Sequence, residues 1–232
     1  MAPSTCFHEA DPSADLKRRA LAEGLGTALL MMAAGGGGLA AAHAWPEPGL
    51  AVPVTAVSIA AALVGLIVAF GPVSGGHFNP LITVLQWLAG ERSLRCMSAY
   101  VAAQVAGGLA GGLLAAQLWG APLGMGRPVG WHGFPSEAVA SGGLMLVVFG
   151  CSRGGSAKAG PFAVGAWLIA AILATPTTSY ANPAVVLGAL VTAGPVSLAP
   201  QTGPVFVLAE FTGALVALAL IALVFPRKPP GA

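Results

Sequence analysis

The sequence Asn182-Pro183-Ala184-Val185 repeats a pattern that occurs earlier in the chain as Asn79-Pro80-Leu81-Ile82. These are the only two asparagines in the chain, and a proline follows each of them. Asparagine is a preferred N-cap and proline suits the first helical turn, so each pair predicts the start of a helix. A lone pair would indicate an ordinary cap, but two matched copies call for a common explanation.

The composition is that of a membrane protein. Of the 232 residues, 56% are hydrophobic and only 8% are charged, and the mean hydropathy is +0.82. A soluble domain carries roughly a quarter charged residues. Six stretches are almost free of charge and about long enough to cross a bilayer, which predicts an all-α polytopic protein whose partner is the lipid bilayer. The stretches are 20–42, 51–70, 96–119, 136–151, 160–177 and 203–225.

The positive charges predict the orientation of the spans. With six spans and both ends cytoplasmic, nine of the ten Lys and Arg residues lie inside and only Arg127 lies outside. The net charge of +2 therefore reflects topology, and no nucleic-acid partner is expected. We predict a disordered N-terminal tail over 1–15, one membrane domain over 16–226, and a C-terminal tail over 227–232.

The stretch before the first Asn-Pro pair, Gly71 to Pro80, is rich in glycine, proline and serine. An irregular backbone is tolerated at membrane depth only where it lines a cavity or is buried in protein. The helix predicted over Leu81 to Ala89 is too short to span, so we expect a re-entrant half-helix. His77 could act as a proton-linked gate or a ligand, but as an isolated histidine it is more typical of a pore-lining residue.

Three pairs of landmarks recur in the same order, namely an acid, an Asn-Pro pair, and an amide or acid. They are Glu23 with Glu137, Asn79 with Asn182, and Gln104 with Glu210, and their separations are 114, 103 and 106 residues. The chain is therefore predicted to contain two copies of three spans plus a half-helix, over about 16–119 and 136–226. Because three spans is an odd number, the second copy is inverted, and its half-helix meets the first at the bilayer midplane.

Two half-helices that meet at their N-termini predict a polar, uncharged passage. Asn79 and Asn182 could each donate N–H groups to a passing oxygen, while the paired helix dipoles repel cations and protons. Motifs of catalysis and cofactor binding, such as a Walker loop, HExxH or CxxC, do not occur in the sequence, so we expect neither an enzyme nor a cofactor or metal site. The three separated cysteines, Cys6, Cys96 and Cys151, favour structural roles, with thiol–metalloid contact as the alternative.

The chain resembles the aquaporin and aquaglyceroporin (major intrinsic protein) family over roughly 16–226. The resemblance rests on Ala22 to Thr27, Ser74 to Pro80, Gln104 with Gly107, Glu137, and Asn182 to Ala184. It implies six spans plus two half-helices, a homotetramer with one pore per subunit, and passive conduction. It also implies that Glu23 and Glu137 brace the pore loops.

The departures from the family pattern concern mainly the selectivity filter. The family normally has an arginine three residues after the second asparagine, where this chain has Val185. Carried over by gap-free spacing, the filter would be Ile59, Ala170, Ser179 and Val185. Replacing arginine by valine removes a fixed charge, several donors and volume, so the filter should be wider and less polar. Two further departures are Leu81, where the family has alanine, and the buried acid Glu210.

Three functions are compatible with these features. The first is a wide channel for neutral solutes such as glycerol, urea or an undissociated metalloid hydroxide like arsenous acid, through which water also passes. A bacterial branch linked to arsenic handling is similar in having valine at the filter position. The second is a water-selective channel, and the third is a non-conducting structural or signalling protein. The resemblance implies a location in the bacterial inner (plasma) membrane.

Overall fold

The computed structural model describes residues 9, 11, 13–45, 48–124, 126 and 128–225, and within them the chain forms eight α-helices. The helices are α1 (Leu16–Ala44), α2 (Pro48–Ser74), α3 (Pro80–Leu88), α4 (Leu94–Leu118), α5 (Phe134–Arg153), α6 (Gly160–Ala174), α7 (Pro183–Ala189) and α8 (Thr202–Val224). Six of them are long and apolar enough to cross a membrane. The predicted all-α fold of six spans and two half-helices is confirmed.

The two short helices begin where the Asn-Pro pairs predict. The Asn79 Oδ1 atom accepts the backbone N–H of Leu81 at 2.9 Å, and the Asn182 Oδ1 atom accepts that of Ala184 at 3.0 Å. Each proline lies in the first helical turn, where its missing N–H leaves no intrahelical bond unmade. α3 and α7 therefore begin from equivalent capped turns.

The helix packing has the symmetry of the predicted repeat. α1 packs on α2 and α4, and α5 packs in the same way on α6 and α8. The half-helices cross over, because α7 packs on α4 of the first copy and α3 packs on α8 of the second. Glycines permit the closest of these approaches: a methyl group on Gly107 would lie 2.2 Å from the Gly24 carbonyl oxygen.

The N-terminal segment departs from the expectation of a disordered tail at Glu9. This side chain is buried and pairs with Arg19 at 2.7 Å and with Arg92, which follows α3. Asp15 caps α1 by accepting the backbone N–H of Lys17. Glu9 thus ties the segment before α1 to the end of the first half-helix.

Some predictions concern residues outside the described ranges. These are the outward position of Arg127, the C-terminal tail 227–232, most of the tail 1–15, and Cys6. The other two cysteines are free thiols: Cys96 is buried and Cys151 is half-buried.

Candidate functional site

The two half-helices meet N-terminus to N-terminus and are cross-linked by their caps. The Asn79 Nδ2 atom donates to the Ala181 carbonyl at 2.8 Å, and the Asn182 Nδ2 atom donates to the Phe78 carbonyl at 2.8 Å. A side-chain amide has two N–H groups. Each asparagine therefore commits one of them to the cross-link and keeps one for a passing molecule.

Both asparagines line an elongated cavity of about 140 Å³. Six residues of α2 line this cavity: Val52, Thr55, Ile59, Leu63 and Ile67, which are spaced about one per turn, and Ala51 beside the first of them. At 1.5 Å per residue, the lined stretch is about 22 Å long. Gly76 and His77 lie at the Ile67 end, so the cavity passes the junction of the half-helices and continues beyond it.

The cavity wall is mainly aliphatic, and the described residues that line it carry no formal charge. Two residues that line the cavity, Ser179 and His77, each have a buried side-chain atom without a hydrogen-bond partner among the described residues, namely Ser179 Oγ and His77 Nε2. Both side chains are buried, with exposures of 5% and 2%. These two atoms therefore have unused hydrogen-bonding capacity in residues that line the cavity.

Three of the four residues assigned to the filter lie on this cavity: Ile59, Ser179 and Val185. The fourth, Ala170, does not line it and lies on the exposed side of α6. α6 instead contributes Leu168 and Ile172. Ala170 is two residues from each of them, which is a rotation of about 200° around the helix axis, so it lies on the opposite side of α6. Gap-free spacing failed here because residues 175–182 are not helical, so counting back from Asn182 does not determine the rotation of α6.

The two pore loops follow the same left-handed backbone path. In the first, φ is +96° at Gly75, +64° at Gly76 and +47° at Phe78. In the second, φ is +61° at Thr178, +46° at Ser179 and +46° at Ala181, which are the positions 103 residues later. Glycine adopts this region freely, whereas Thr178 and Ser179 do so at a cost of about 1–2 kcal/mol each.

The carboxylate of Glu23 anchors the first loop. Oε1 accepts from Ser74 Oγ at 2.6 Å and from the backbone N–H of His77 at 3.0 Å. Oε2 accepts from the backbone N–H of Phe78 at 2.6 Å and from Gln104 Nε2 at 2.8 Å. Four donors from three parts of the chain thus converge on one side chain that is completely buried.

Two carboxyl groups anchor the second loop. Glu137 accepts the backbone N–H groups of Tyr180 and Ala181, both at 3.0 Å through Oε2. Glu210, one of the departures from the family pattern, pairs with the backbone by accepting the N–H of Asn182 at 2.8 Å. Tyr180 adds a bond from its hydroxyl to the Val196 carbonyl at 2.9 Å.

Comparison with known proteins connects this architecture to one family. The family model described as Major intrinsic protein matches residues 11–179, more than half of the chain. The aquaglyceroporin AqpS of Rhizobium meliloti (strain 1021) is 39% identical over 219 residues, which cover 93% of this chain and 94% of that protein. The chain belongs to the major intrinsic protein family. It is a multi-pass membrane channel.

More distant relatives agree with this assignment. Aquaporin Z of Photorhabdus laumondii is 34% identical over 92 residues, which cover 40% of this chain and 39% of that protein. The X-ray structure of the aquaglyceroporin from Plasmodium falciparum superposes with a TM-score of 0.76 at 20% identity, and it covers 91% of this chain and 98% of that one. At this identity the likeness shows the fold alone.

Sequence reasoning missed several buried residues that contact the first pore loop or the end of its half-helix in this family member. Thr83 lies one turn into α3 and contacts His77, and Arg92 binds both Glu9 and the Gln86 side chain. Burial disfavours the charge of Arg92, but the Glu9 carboxylate holds the pKa of Arg92 above its ordinary value. The position of Thr83 four residues after Asn79 was a usable signal, whereas no pattern pointed to Glu9.

Proposed function

We propose that this protein is a passive channel for small neutral solutes larger than water, such as glycerol, urea or undissociated arsenous acid, and that water also passes. The observation that carries the proposal is Val185, an aliphatic side chain on the cavity at the position where the family normally places arginine. A guanidinium there would add charge, donors and bulk to the narrowest part of the pore.

The filter that we propose combines Ile59, Ser179 and Val185 with Ile172 in place of Ala170. Ile172 lies on the cavity in the last turn of α6, close along the chain to the second pore loop. Three aliphatic side chains and one hydroxyl would suit the carbon skeleton of a polyol on one side and its hydroxyl groups on the other. Such a ring selects weakly against solute size.

The junction of the half-helices supplies the polar part of the proposed passage. The free N–H groups of Asn79 and Asn182 offer two donors to a solute oxygen, and the positive ends of the two helix dipoles disfavour cations. A neutral solute with several hydroxyl groups can exchange water for these donors. An ion would lose its hydration with no charged side chain on the wall to compensate it.

The known relatives support the choice of solute class. AqpS is described as an aquaglyceroporin, and it aligns with this chain over nearly its whole length. By the family resemblance we further propose a homotetramer with one pore per subunit in the bacterial plasma membrane, with both termini cytoplasmic. The aliphatic residues exposed on the outer faces of the spans fit a lipid or subunit environment for those faces.

Stopped-flow light scattering on proteoliposomes tests the proposal. Vesicles that contain the protein should take up glycerol and arsenous acid faster than empty vesicles, and should also swell and shrink faster with water. Water flux without any solute flux would replace the proposal with a water-selective channel. No flux of either kind would favour a non-conducting protein.

Val185→Arg tests the filter itself. We expect glycerol flux to fall about tenfold or more, which corresponds to roughly 1.4 kcal/mol added to the barrier, while water flux stays substantial. Val185→Leu is the matched control, because it adds bulk without charge and should reduce glycerol flux less. An unchanged solute spectrum in the arginine variant would mean that the filter lies elsewhere.

A further inference from the structure

His77 is held against Thr83 in a way that determines which ring nitrogen carries the proton. Its Nδ1 atom lies 2.9 Å from the Thr83 hydroxyl oxygen, while Nε2 is buried without a partner among the described residues, and His77 is one of the residues that line the cavity. A neutral imidazole has one N–H donor and one bare acceptor nitrogen. The bonds of Thr83 therefore determine whether the pore meets a donor or an acceptor at this side chain.

The orientation of the Gln104 amide determines the role of the Thr83 hydroxyl in the hydrogen bond between these two side chains. Gln104 Nε2 lies 2.8 Å from Glu23 Oε2 and 2.9 Å from Thr83 Oγ1, and the carboxylate requires the amide nitrogen, not the oxygen, to face it. One amide proton goes to each of these oxygens. Thr83 is thus an acceptor toward Gln104, and its single proton remains to be placed.

That proton can go to one of two acceptors. Thr83 Oγ1 lies 3.2 Å from the Asn79 carbonyl oxygen and 2.9 Å from His77 Nδ1. If it donates to Asn79, then Nδ1–H of His77 donates to Thr83 and all three contacts are hydrogen bonds. If it donates to Nδ1, the bond to Asn79 is lost, and one fewer hydrogen bond forms in a buried site.

Burial favours the neutral ring of His77, and the two arginines near the ring favour it as well. Arg19 and Arg92 lie over the Tyr100 ring, which in turn meets the His77 ring edge-on at 5.5 Å between centroids. A second proton on His77 would place a third positive charge in this buried cluster, where Glu9 already pairs with both arginines. The ring therefore carries one proton.

From this network we infer that Thr83 holds His77 as the Nδ1–H tautomer, so that Nε2 presents a bare lone pair to the pore and serves as an acceptor for the hydroxyl protons of a passing solute. The inference rests on the proposed function and adds a selectivity element to it. The asparagines donate to solute oxygens at the junction, and His77 accepts from solute hydroxyls beyond it. A molecule with hydroxyl groups can form hydrogen bonds both with the asparagines and with His77. A molecule that has hydrogen-bond acceptors but no donors can bond only with the asparagines. Thr83 is a positioning residue that acts through His77.

A matched pair of amide variants separates this role from mere anchoring. In His77→Asn the amide reaches the position of Nδ1 and can keep the bond to Thr83, but nothing occupies the position of Nε2. In His77→Gln the amide reaches the position of Nε2. We expect glycerol permeability to fall about three- to tenfold in His77→Asn, the effect of one lost hydrogen bond, and to stay near that of the wild type in His77→Gln. A glycerol permeability retained in His77→Asn would overturn the inference.

Nitrogen NMR of ¹⁵N-histidine-labelled protein in lipid bilayers reads the tautomer without any flux. The spectrum should show a protonated Nδ1 and a bare Nε2 for His77, assigned by the signals that disappear in His77→Asn. Thr83→Val should redistribute the proton; the second half-helix already has Val186 at the matching position, so the fold accommodates valine there. Thr27→Val is the control, because its hydroxyl bonds the Glu23 carbonyl within α1.

A protonated Nε2 in the wild type, or a tautomer unchanged in Thr83→Val, would refute the role given to Thr83. If the proposed channel function is wrong, the two measurements give a different pair of results. In that case wild-type vesicles take up no glycerol, while the NMR spectrum still reports the same proton position.

Discussion

The two pore loops have nearly the same backbone but are stabilised by different means. The first adopts its left-handed turns with Gly75 and Gly76, and four donors converge on Glu23. The second makes the same turns with Thr178 and Ser179, and it is held through backbone N–H groups by Glu137 and Glu210. The first loop therefore places one non-glycine residue, Phe78, in the left-handed region, whereas the second loop places three there: Thr178, Ser179 and Ala181.

The two loops also differ in the side chains that they place near the cavity. Ser179 places a hydroxyl on the cavity at the position where the first loop has Gly76, and a side chain there requires the strained backbone. In the first loop the glycines leave room instead: a methyl group on Gly75 would lie 3.0 Å from His77 Nε2. Strain at a functional position is retained when the surrounding contacts determine it.

The largest effect that we expect concerns the two bracing acids. Glu23→Gln should lower the free energy of unfolding by about 3–5 kcal/mol, because the new NH₂ group faces donors that lose their acceptor. Glu137→Gln should cost only about 1–2 kcal/mol, since one amide oxygen can still accept the N–H groups of Tyr180 and Ala181. Unfolding in mixed detergent micelles, followed by circular dichroism, measures both. Equal losses would show that the loops are anchored equally.

A smaller effect concerns the helices behind the loops. Gly108→Ala should destabilise the protein by about 2 kcal/mol, because the new methyl group would lie 2.2 Å from the Ala184 carbonyl oxygen of α7. The second repeat differs at both of these positions. Ala214 of α8 corresponds to Gly108 of α4, and Leu81 of α3 corresponds to Ala184 of α7. Gly65→Ala is the control, because a methyl group there would meet nothing within 4 Å. Similar melting temperatures for the two variants would contradict the close α4–α7 approach.

The smallest effect concerns the strained turn. Thr178→Gly should stabilise the protein by up to about 1 kcal/mol, because relief of the left-handed conformation slightly exceeds the entropy that glycine loses on folding. The reverse exchange, Gly75→Thr, should be clearly destabilising because of its contact with His77. Both are measured by the same unfolding titration. Destabilisation in Thr178→Gly would mean that the threonine side chain contributes more than its backbone costs.

The sequence was sufficient for those parts of the fold that depend on local chemistry. Charge-free stretches located six spans, because charged groups are costly in hydrocarbon, and the Asn-Pro pairs located the starts of both half-helices. Three pairs of landmark residues revealed the repeat, because they occur in the same order and at similar separations in both halves of the chain. Ile59, Ser179 and Val185 were assigned to the filter by the family resemblance, with their positions counted from the Asn-Pro pairs, and all three lie on the cavity.

Other features depended on contacts between distant parts of the chain. The rotation of α6, which turns Ala170 away and Ile172 inward, is determined by packing after a non-helical segment. The burial of Glu9 between Arg19 and Arg92, and the bond between Thr83 and His77, require elements that local patterns do not bring together. The sequence by itself determined the class and the repeat, because these depend on composition and order, and the family resemblance identified Val185 as the residue at the position of the filter arginine. Only the tertiary structure decided which atoms face the pore, because orientation is set by what each helix packs against.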